Sequence, residues 1–274
     1  MLNEDDFEKK IREANINIHR IEAKYYDLIH PEVYGKFEQK RIDSILKKVD
    51  KFVKNNSKFI GKALDFGSGT GNLTGKLLAM GYDVTAVDIS AEMCKILEIK
   101  FQNYIKSNKL CIINSPIEDV NFNRDSFDLI TCYSVLHHLP NYIDAIRRLS
   151  CFLKDEGVMY IDHEISPFYW KNESSILAGL VKLMYFHSNP LLNSLYFGII
   201  GVNVPTLDYE LSDYWFQKEH SLDHKNIKSV FVKEKFKYFK RTDYHLMGSW
   251  FWNPFFFIYR TVCKPEMSFW IAKK

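Results

Sequence analysis

Leu64-Asp65-Phe66-Gly67-Ser68-Gly69-Thr70-Gly71-Asn72-Leu73 is the stretch on which the fold turns. A short apolar strand, Lys62 to Phe66, runs into three glycines in five positions, and an apolar helical pattern from about Asn72 to Met80 follows. Glycines at such a junction let the backbone turn sharply and approach a ligand without Cβ collisions. The spacing is Gly-x-Gly-x-Gly, whereas the dinucleotide fingerprint is Gly-x-Gly-x-x-Gly. The Gly-Lys-Ser/Thr of a P-loop is missing. Asp65 stands two residues before the first glycine, where a carboxylate would repel a pyrophosphate seated at the helix N-terminus. It suits a ligand carrying an ammonium and a sulfonium instead.

Outward from this loop the chain alternates strand and helix. Gly81 closes the first helix as a left-handed cap. Strands are expected at Asp83 to Asp88, Leu110 to Asn114, Phe127 to Tyr133 and Gly157 to Asp162, and helices at Ala91 to Ile105 and Tyr142 to Phe152. Upstream, Phe37, Ile42, Ile45, Leu46, Val49, Phe52 and Val53 recur at helical spacing between charges, which predicts an amphipathic helix over 36–54. Apolar strands alternating with helices mean a parallel sheet covered on both faces, which binds ligands at the carboxyl ends of its strands. After Glu164 the rhythm breaks. Two apolar helices, Ser174 to Met184 and Leu191 to Ile200, are expected, both too short to span a bilayer. A helix at Leu222 to Val232 and strands at Lys237 to His245 and Ser268 to Ala272 close the pattern.

Composition narrows the classes. The chain has 274 residues, is 46% hydrophobic and 26% charged, and carries a net charge of +3, so it has an ample core and no global pull toward nucleic acid. The densest basic run, Lys225 to Arg241, alternates Lys with apolar residues and reads as the wet face of a helix and strand. Five scattered cysteines without a Cys-x-x-Cys pair argue against a disulfide framework or a zinc site, and no metal is expected. The acidic start, Met1-Leu2-Asn3-Glu4-Asp5-Asp6, is unlike a secretory signal, so the expected location is cytoplasmic.

The glycine stretch, followed by Ala86-Val87-Asp88-Ile89-Ser90, Phe127-Asp128-Leu129-Ile130, Ser134-Val135-Leu136-His137-His138-Leu139 and Leu153-Lys154-Asp155-Glu156-Gly157, resembles the class I S-adenosylmethionine-dependent methyltransferases. It looks most like their quinone-biosynthesis and small-molecule-tailoring branch. The resemblance covers roughly Lys62 to Glu164. It implies a Rossmann-like, doubly wound, mostly parallel seven-stranded sheet with helices on both faces and an antiparallel last strand. Around it stand an N-terminal helical cap (1–58), the cofactor core (59–164), a helical lid insertion (165–220) and a C-terminal helix and strands (221–274).

S-adenosylmethionine is the implied cofactor. Asp65, Gly67, Ser68, Gly69 and Gly71 would pass around its methionine part, with Tyr133 at the next strand end. Asp88 would hold the ribose and Ile89 would pack on the adenine. Pro116 takes the place of the family's usual adenine-binding Asp, so Ser115, Ile117 or Glu118 would substitute. His137 and His138 lie beyond the fourth strand, near the expected methyl position, and histidine has the pKa to take a proton. For adjacent residues only one is expected to face the site, and His137 is favoured as the base. Ser134, Glu164, Phe168, Trp170 and Trp215 are further acceptor-side candidates, with Tyr25 and Tyr26 as an aromatic lid; for Glu164 a surface-loop acid is nearly as good a reading.

The acceptor is expected to be small or lipid-like and apolar. O-methylation comes first, C- or N-methylation second. A peripheral membrane contact through the lid, no nucleic acid, and a monomer or homodimer complete the reading. The alternatives from other classes are an NAD oxidoreductase, disfavoured by the glycine spacing and Asp65, and a non-catalytic binding module, disfavoured by the intact loop, Asp88 and the histidines.

Overall fold

The structure, a computed structural model, describes residues 4–54, 61–169, 208–217, 219, 222–246 and 264–274. Helix α1 (Glu4–Glu22), a 3-10 turn (Ala23–Tyr25), α2 (Tyr26–Ile29) and α3 (Pro31–Tyr34) lead to α4 (Lys36–Lys54). The alternating core follows: β1 (Lys62–Phe66), α5 (Asn72–Ala79), β2 (Asp83–Asp88), α6 (Ala91–Lys100), α7 (Gln102–Lys106), β3 (Leu110–Asn114), β4 (Phe127–Tyr133), a 3-10 turn (Leu136–His138), α8 (Tyr142–Phe152) and β5 (Leu153–Ile165). Then come α9 (Tyr209–Ser212), α10 (Tyr214–Gln217), α11 (His224–Lys233), β6 (Tyr238–Tyr244) and β7 (Met267–Lys273). The expected helices at Ser174 to Met184 and Leu191 to Ile200, and Trp170, lie outside the described residues.

The seven strands stand in the order β3-β2-β1-β4-β5-β7-β6. Pairings among β1 to β5 are parallel, and β7 runs antiparallel to both β5 and β6. The strand order therefore reverses at β1, and the loops after β1 and β4 open on the same end of the sheet. Apolar side chains fill both faces. Leu64, Ile130, Ile146, Leu149, Met159 and Phe231 pack in one cluster. Ile42, Leu46, Val49, Leu77, Val84 and Tyr160 pack in the other, under α4. Among the described residues no helix is long and apolar enough to cross a membrane.

Two expected elements change. The helix over Ala91 to Ile105 breaks at Phe101, whose φ is −122°. There the Phe101 ring packs where Cβ atoms on Gly71 and Gly75 would lie, at 2.6 and 2.8 Å. The fifth strand is longer than Gly157 to Asp162: Glu156 and His163 take left-handed φ values of 65° and 59°, and the strand runs on through both irregularities. Glu164 therefore belongs to a strand and is 1% exposed, which corrects the surface-loop alternative.

Candidate functional site

The carboxyl ends of β1, β2 and β4 open on a cavity roofed by α1 and the short helices after it. Its floor is the glycine loop. The amides of Gly67 and Ser68 both donate to the Val87 carbonyl, at 2.8 and 3.0 Å, which fastens the loop across the end of β2. Gly67, Gly69 and Gly71 all have positive φ, so this path is available to glycine at little cost.

Asp65 lies 2% exposed at the loop's entry and lines the cavity. Its carboxylate accepts the Thr74 hydroxyl at 2.6 Å and the Thr131 hydroxyl at 2.8 Å. Burial pushes its pKa up to about 6 despite those two bonds. Asp88 accepts the Gly69 amide at 2.7 Å on one oxygen and the Ser90 amide at 2.8 Å on the other. Burial raises its pKa as well, against the pull of those amides. Two carboxylates of raised pKa at one end of a cavity form a site that gains from a cationic, hydroxyl-bearing ligand.

Ile89, Met93, Ser115, Pro116, Ile117 and Glu118 form the wall beyond Asp88. Arg12 of α1 reaches across to Glu118 at 3.4 Å, bridging that wall to the roof. Two buried polar atoms of the lining, Ser68 Oγ and Asn72 Nδ2, have no hydrogen-bond partner among the described residues. Each is available to a polar ligand.

The far end is built on the turn after β4. Glu164 organises it: Oε1 accepts the amides of Val135 and Leu136 at 2.9 and 2.8 Å, and Oε2 lies 2.8 Å from His137 Nδ1. Burial opposes its charge, but His137 and the two amides keep its pKa below the usual range. His137 is thus turned to Glu164 and does not line the cavity, whereas His138 does. Geometry therefore points to His138 where the sequence reading favoured His137.

His138 Nδ1 lies 2.9 Å from the Ser212 carbonyl and 3.1 Å from Asp213 Oδ1. Burial would lower its pKa, but the Asp213 carboxylate raises it above the ordinary histidine value. The Asp213 pKa falls to about 2 in return, against its own burial. Asn15 of α1 donates to the His138 carbonyl at 3.1 Å and accepts from Ser212 Oγ at the same distance. Trp215 Nε1 donates to the Leu139 carbonyl at 2.7 Å. Among the described residues, ligand-type atoms of His137, His138 and Asp213 lie within 4.8 Å of one another.

Of the other expected residues, Tyr26, Tyr133 and Ser134 line the cavity, together with Gly67, Ser68 and Gly69. Tyr133 is held from behind, its hydroxyl donating to Glu38 Oε1 at 2.9 Å and lying 3.0 Å from His163 Nδ1. Gly71 backs onto Phe101 instead of the cavity. Tyr25 is 44% exposed and does not line the cavity. The Phe168 ring packs under Lys264, and Trp215 acts on the turn, not on the lining. Arg12, Asn15, His19, Tyr34, Asn72 and Asp213 went unnoticed in the sequence. Only Asn72 had a signal, as the residue next to the glycine loop.

The N-terminal segment is also tied to the loop. Thr70 Oγ1 bonds Asp27 at 2.5 Å and lies 2.8 Å from the Tyr34 hydroxyl, while Lys100 pairs with the other Asp27 oxygen.

Residues 64–161 match the family model described as a methyltransferase domain. The ubiquinone biosynthesis O-methyltransferase of Glaesserella parasuis is 31% identical over 115 residues, covering 39% of this chain and 47% of that protein. Its Haemophilus ducreyi counterpart is 33% identical over the same shares. The chain spans about half the length of the curated relatives it matches. Among solved structures, an S-adenosylmethionine-dependent methyltransferase from Mesorhizobium loti aligns with a TM-score of 0.55 at 14% identity, covering 83% of this chain and 96% of that one. The magnesium protoporphyrin IX methyltransferase of Synechocystis, solved with bound SAH, aligns with a TM-score of 0.50 at 16% identity over 86% and 82%. Those identities speak for the fold alone. The domain match takes in the glycine loop, β2 and β4, so over residues 64–161 the chain is similar to the methyltransferase domain, and that stretch is set in the seven-stranded sheet described above.

Proposed function

We propose that this chain transfers the methyl group of S-adenosylmethionine to an oxygen of a small, mainly apolar acceptor. The observation that carries the reading is a single cavity with two unlike ends. Asp65, the glycine loop and Asp88 stand at one end, and the His138–Asp213 pair at the other. The names of the relatives, ubiquinone biosynthesis O-methyltransferases, support oxygen as the target.

The residues fit the cofactor. A Cβ on Gly69 would meet no atom within 4 Å, so the loop leaves open space there for a ligand to approach the backbone. Ser68 Oγ and Asn72 Nδ2 offer unused polar atoms beside it. Asp65 would balance positive charge, Asp88 would accept from ribose hydroxyls, and Ile89, Met93 and Ile117 would flank the base. The bound cofactor supplies a methyl carbon activated by a sulfonium. What remains for the protein is to align the acceptor oxygen and manage its proton.

His138 is the member of the histidine pair that serves the acceptor. With its charged form favoured by Asp213, it can hold an oxygen that is losing its proton. Leu139 and Pro140, which follow His138 directly, give that end its apolar character. The first test is calorimetric titration with S-adenosylmethionine and S-adenosylhomocysteine, with NADH as control. Micromolar binding of the first two and none of NADH is expected; binding of NADH alone would overturn the reading in favour of an oxidoreductase.

A further inference from the structure

The cavity holds a second imidazole, His19, which comes from α1 and belongs to no sequence motif. Its ring stands edge-on to His138 with centroids 5.3 Å apart, and 6.0 Å from the Tyr26 ring. The two histidines are held differently. His138 directs Nδ1 at an acid and a carbonyl. His19 has no acid against it. One of its ring nitrogens is held by the Asn15 backbone, and His138, Asp213 and His30 are the charged groups around it. No side chain hydrogen-bonds its ring among the described residues, and the ring lines the cavity, so a nitrogen not taken by the Asn15 backbone is free to accept a proton.

Resting on the methyltransferase reading above, we propose that His19 takes the proton of a weakly acidic, phenol-type hydroxyl, while His138 and Asp213 hold the oxygen as a charged pair. The balance is simple. The oxygen gives a lone pair to the methyl carbon as the carbon–sulfur pair stays with sulfur. The O–H pair returns to oxygen as its proton passes to the free nitrogen of His19, and the imidazolium then releases that proton to solvent.

Burial and the neighbouring His138 push the His19 pKa down to about 3, so its lone pair is free at neutral pH. An imidazole of such low basicity cannot strip a resting hydroxyl. The hydroxyl proton becomes strongly acidic as the oxygen commits its pair to carbon, and at that stage a weak base in place suffices. The two pKa values are displaced in opposite directions, which favours the charged form of His138 and the neutral form of His19 and so separates their roles. Asn15 couples them physically, because it anchors the His138 carbonyl from the turn of α1 that precedes His19, on the same face.

The test is methyl transfer from radiolabelled S-adenosylmethionine to two phenols at mildly alkaline pH, using the full chain. There 4-nitrophenol is already ionised and 4-methylphenol is not. His19→Gln is expected to lower kcat for 4-methylphenol by ~100-fold with KM within about threefold, and to change kcat for 4-nitrophenol by less than about threefold. Asp213→Asn should slow both phenols, and Asp213→Glu should restore them. Added imidazole should rescue His19→Ala on 4-methylphenol, which guards against a variant that merely folds poorly. Equal losses on the two phenols, or no imidazole rescue, would overturn the proposal. So would a wild-type protein that binds the cofactor by calorimetry yet methylates neither phenol. If the cofactor itself does not bind, it is the methyltransferase reading that falls.

Discussion

Alanine at Gly67 and alanine at Gly69 should fail for different reasons. Both glycines adopt left-handed backbone, with φ of +68° and +51°, so each substitution carries a conformational cost of ~1 kcal/mol. They then diverge. A Cβ on Gly67 would fall 2.2 Å from Val135 Cγ2 and 2.9 Å from Cγ1. Val135 cannot swing away freely, because it is 8% exposed and its amide is held by Glu164. Overpacking of this kind adds ~1–3 kcal/mol, so Gly67→Ala should cost about 2–4 kcal/mol in all. For a domain of this size that lowers Tm by about 5–15 °C.

A Cβ on Gly69 meets nothing within 4 Å, and the stability loss should stop near ~1 kcal/mol. Because Gly69 lines the cavity, its new methyl would stand where a ligand approaches, and S-adenosylhomocysteine affinity should drop ~10-fold or more. Urea denaturation measures the first quantity and calorimetry the second. In a double-mutant cycle, Val135→Ala should return ~1–2 kcal/mol to the Gly67→Ala protein. The reasoning fails if Gly67→Ala costs no more stability than Gly69→Ala, or if trimming Val135 recovers nothing.

Asp65, raised from 3.8 to about 6 by burial, favours the folded state most when protonated; that contribution is present below 3.8 and lost as pH rises through about 6. A cationic ligand reverses the preference, so S-adenosylmethionine binding near pH 6 should release part of a proton; calorimetry in buffers of different ionisation enthalpy would show none if Asp65 is not involved. His30 behaves oppositely. Burial lowers its pKa, but Glu22 and Glu32 overcome that and lift it from 6.5 to about 9, so ~2–3 kcal/mol of stability present below 6.5 should vanish as pH climbs through about 9. Thermal melts of His30→Gln should lack that alkaline decline, and a decline identical to wild type would rule His30 out. Asp88→Ala removes the acceptor for the Gly69 and Ser90 amides and should weaken cofactor binding by ~1.5–3 kcal/mol; unchanged affinity in calorimetry would count against its ribose role.

The alternating core was legible because its strands are short apolar runs bounded by glycine, asparagine or aspartate, as at Ala63 to Gly67 and Val84 to Asp88. The bulged start of β5 was not, since Asp155 and Glu156 look like a turn, and only the pairing of Phe127 with Leu153 reveals strand there. Phe101 interrupts a helix that its local pattern would continue, with its ring packed on Gly71 and on Gly75 of α5. The cofactor half of the site could be read from adjacent residues, Asp65 to Gly69 and Asp88 to Ile89, since one loop and one strand end supply it. The acceptor half gathers His19, His138 and Asp213, so no window of sequence contains it. His137 and His138 were indistinguishable in sequence; Glu164, 27 residues downstream, turns one of them away. Asn15 and His19 sit in an ordinary amphipathic helix and carry no local mark of their role.

The place of β7 between β5 and β6 has a consequence for biosynthesis. On the ribosome β6 emerges before its partner exists, since its hydrogen bonds go to β7 and none to β5. Until β7 is translated, β5 stays an open edge, with Val158 to Ile161 waiting for a neighbour that lies more than 100 residues ahead. Exposed edges of this kind recruit foreign strands. Translation speed across the intervening stretch, and any chaperone that shelters β5 meanwhile, should therefore govern how much of this protein is recovered soluble from cells.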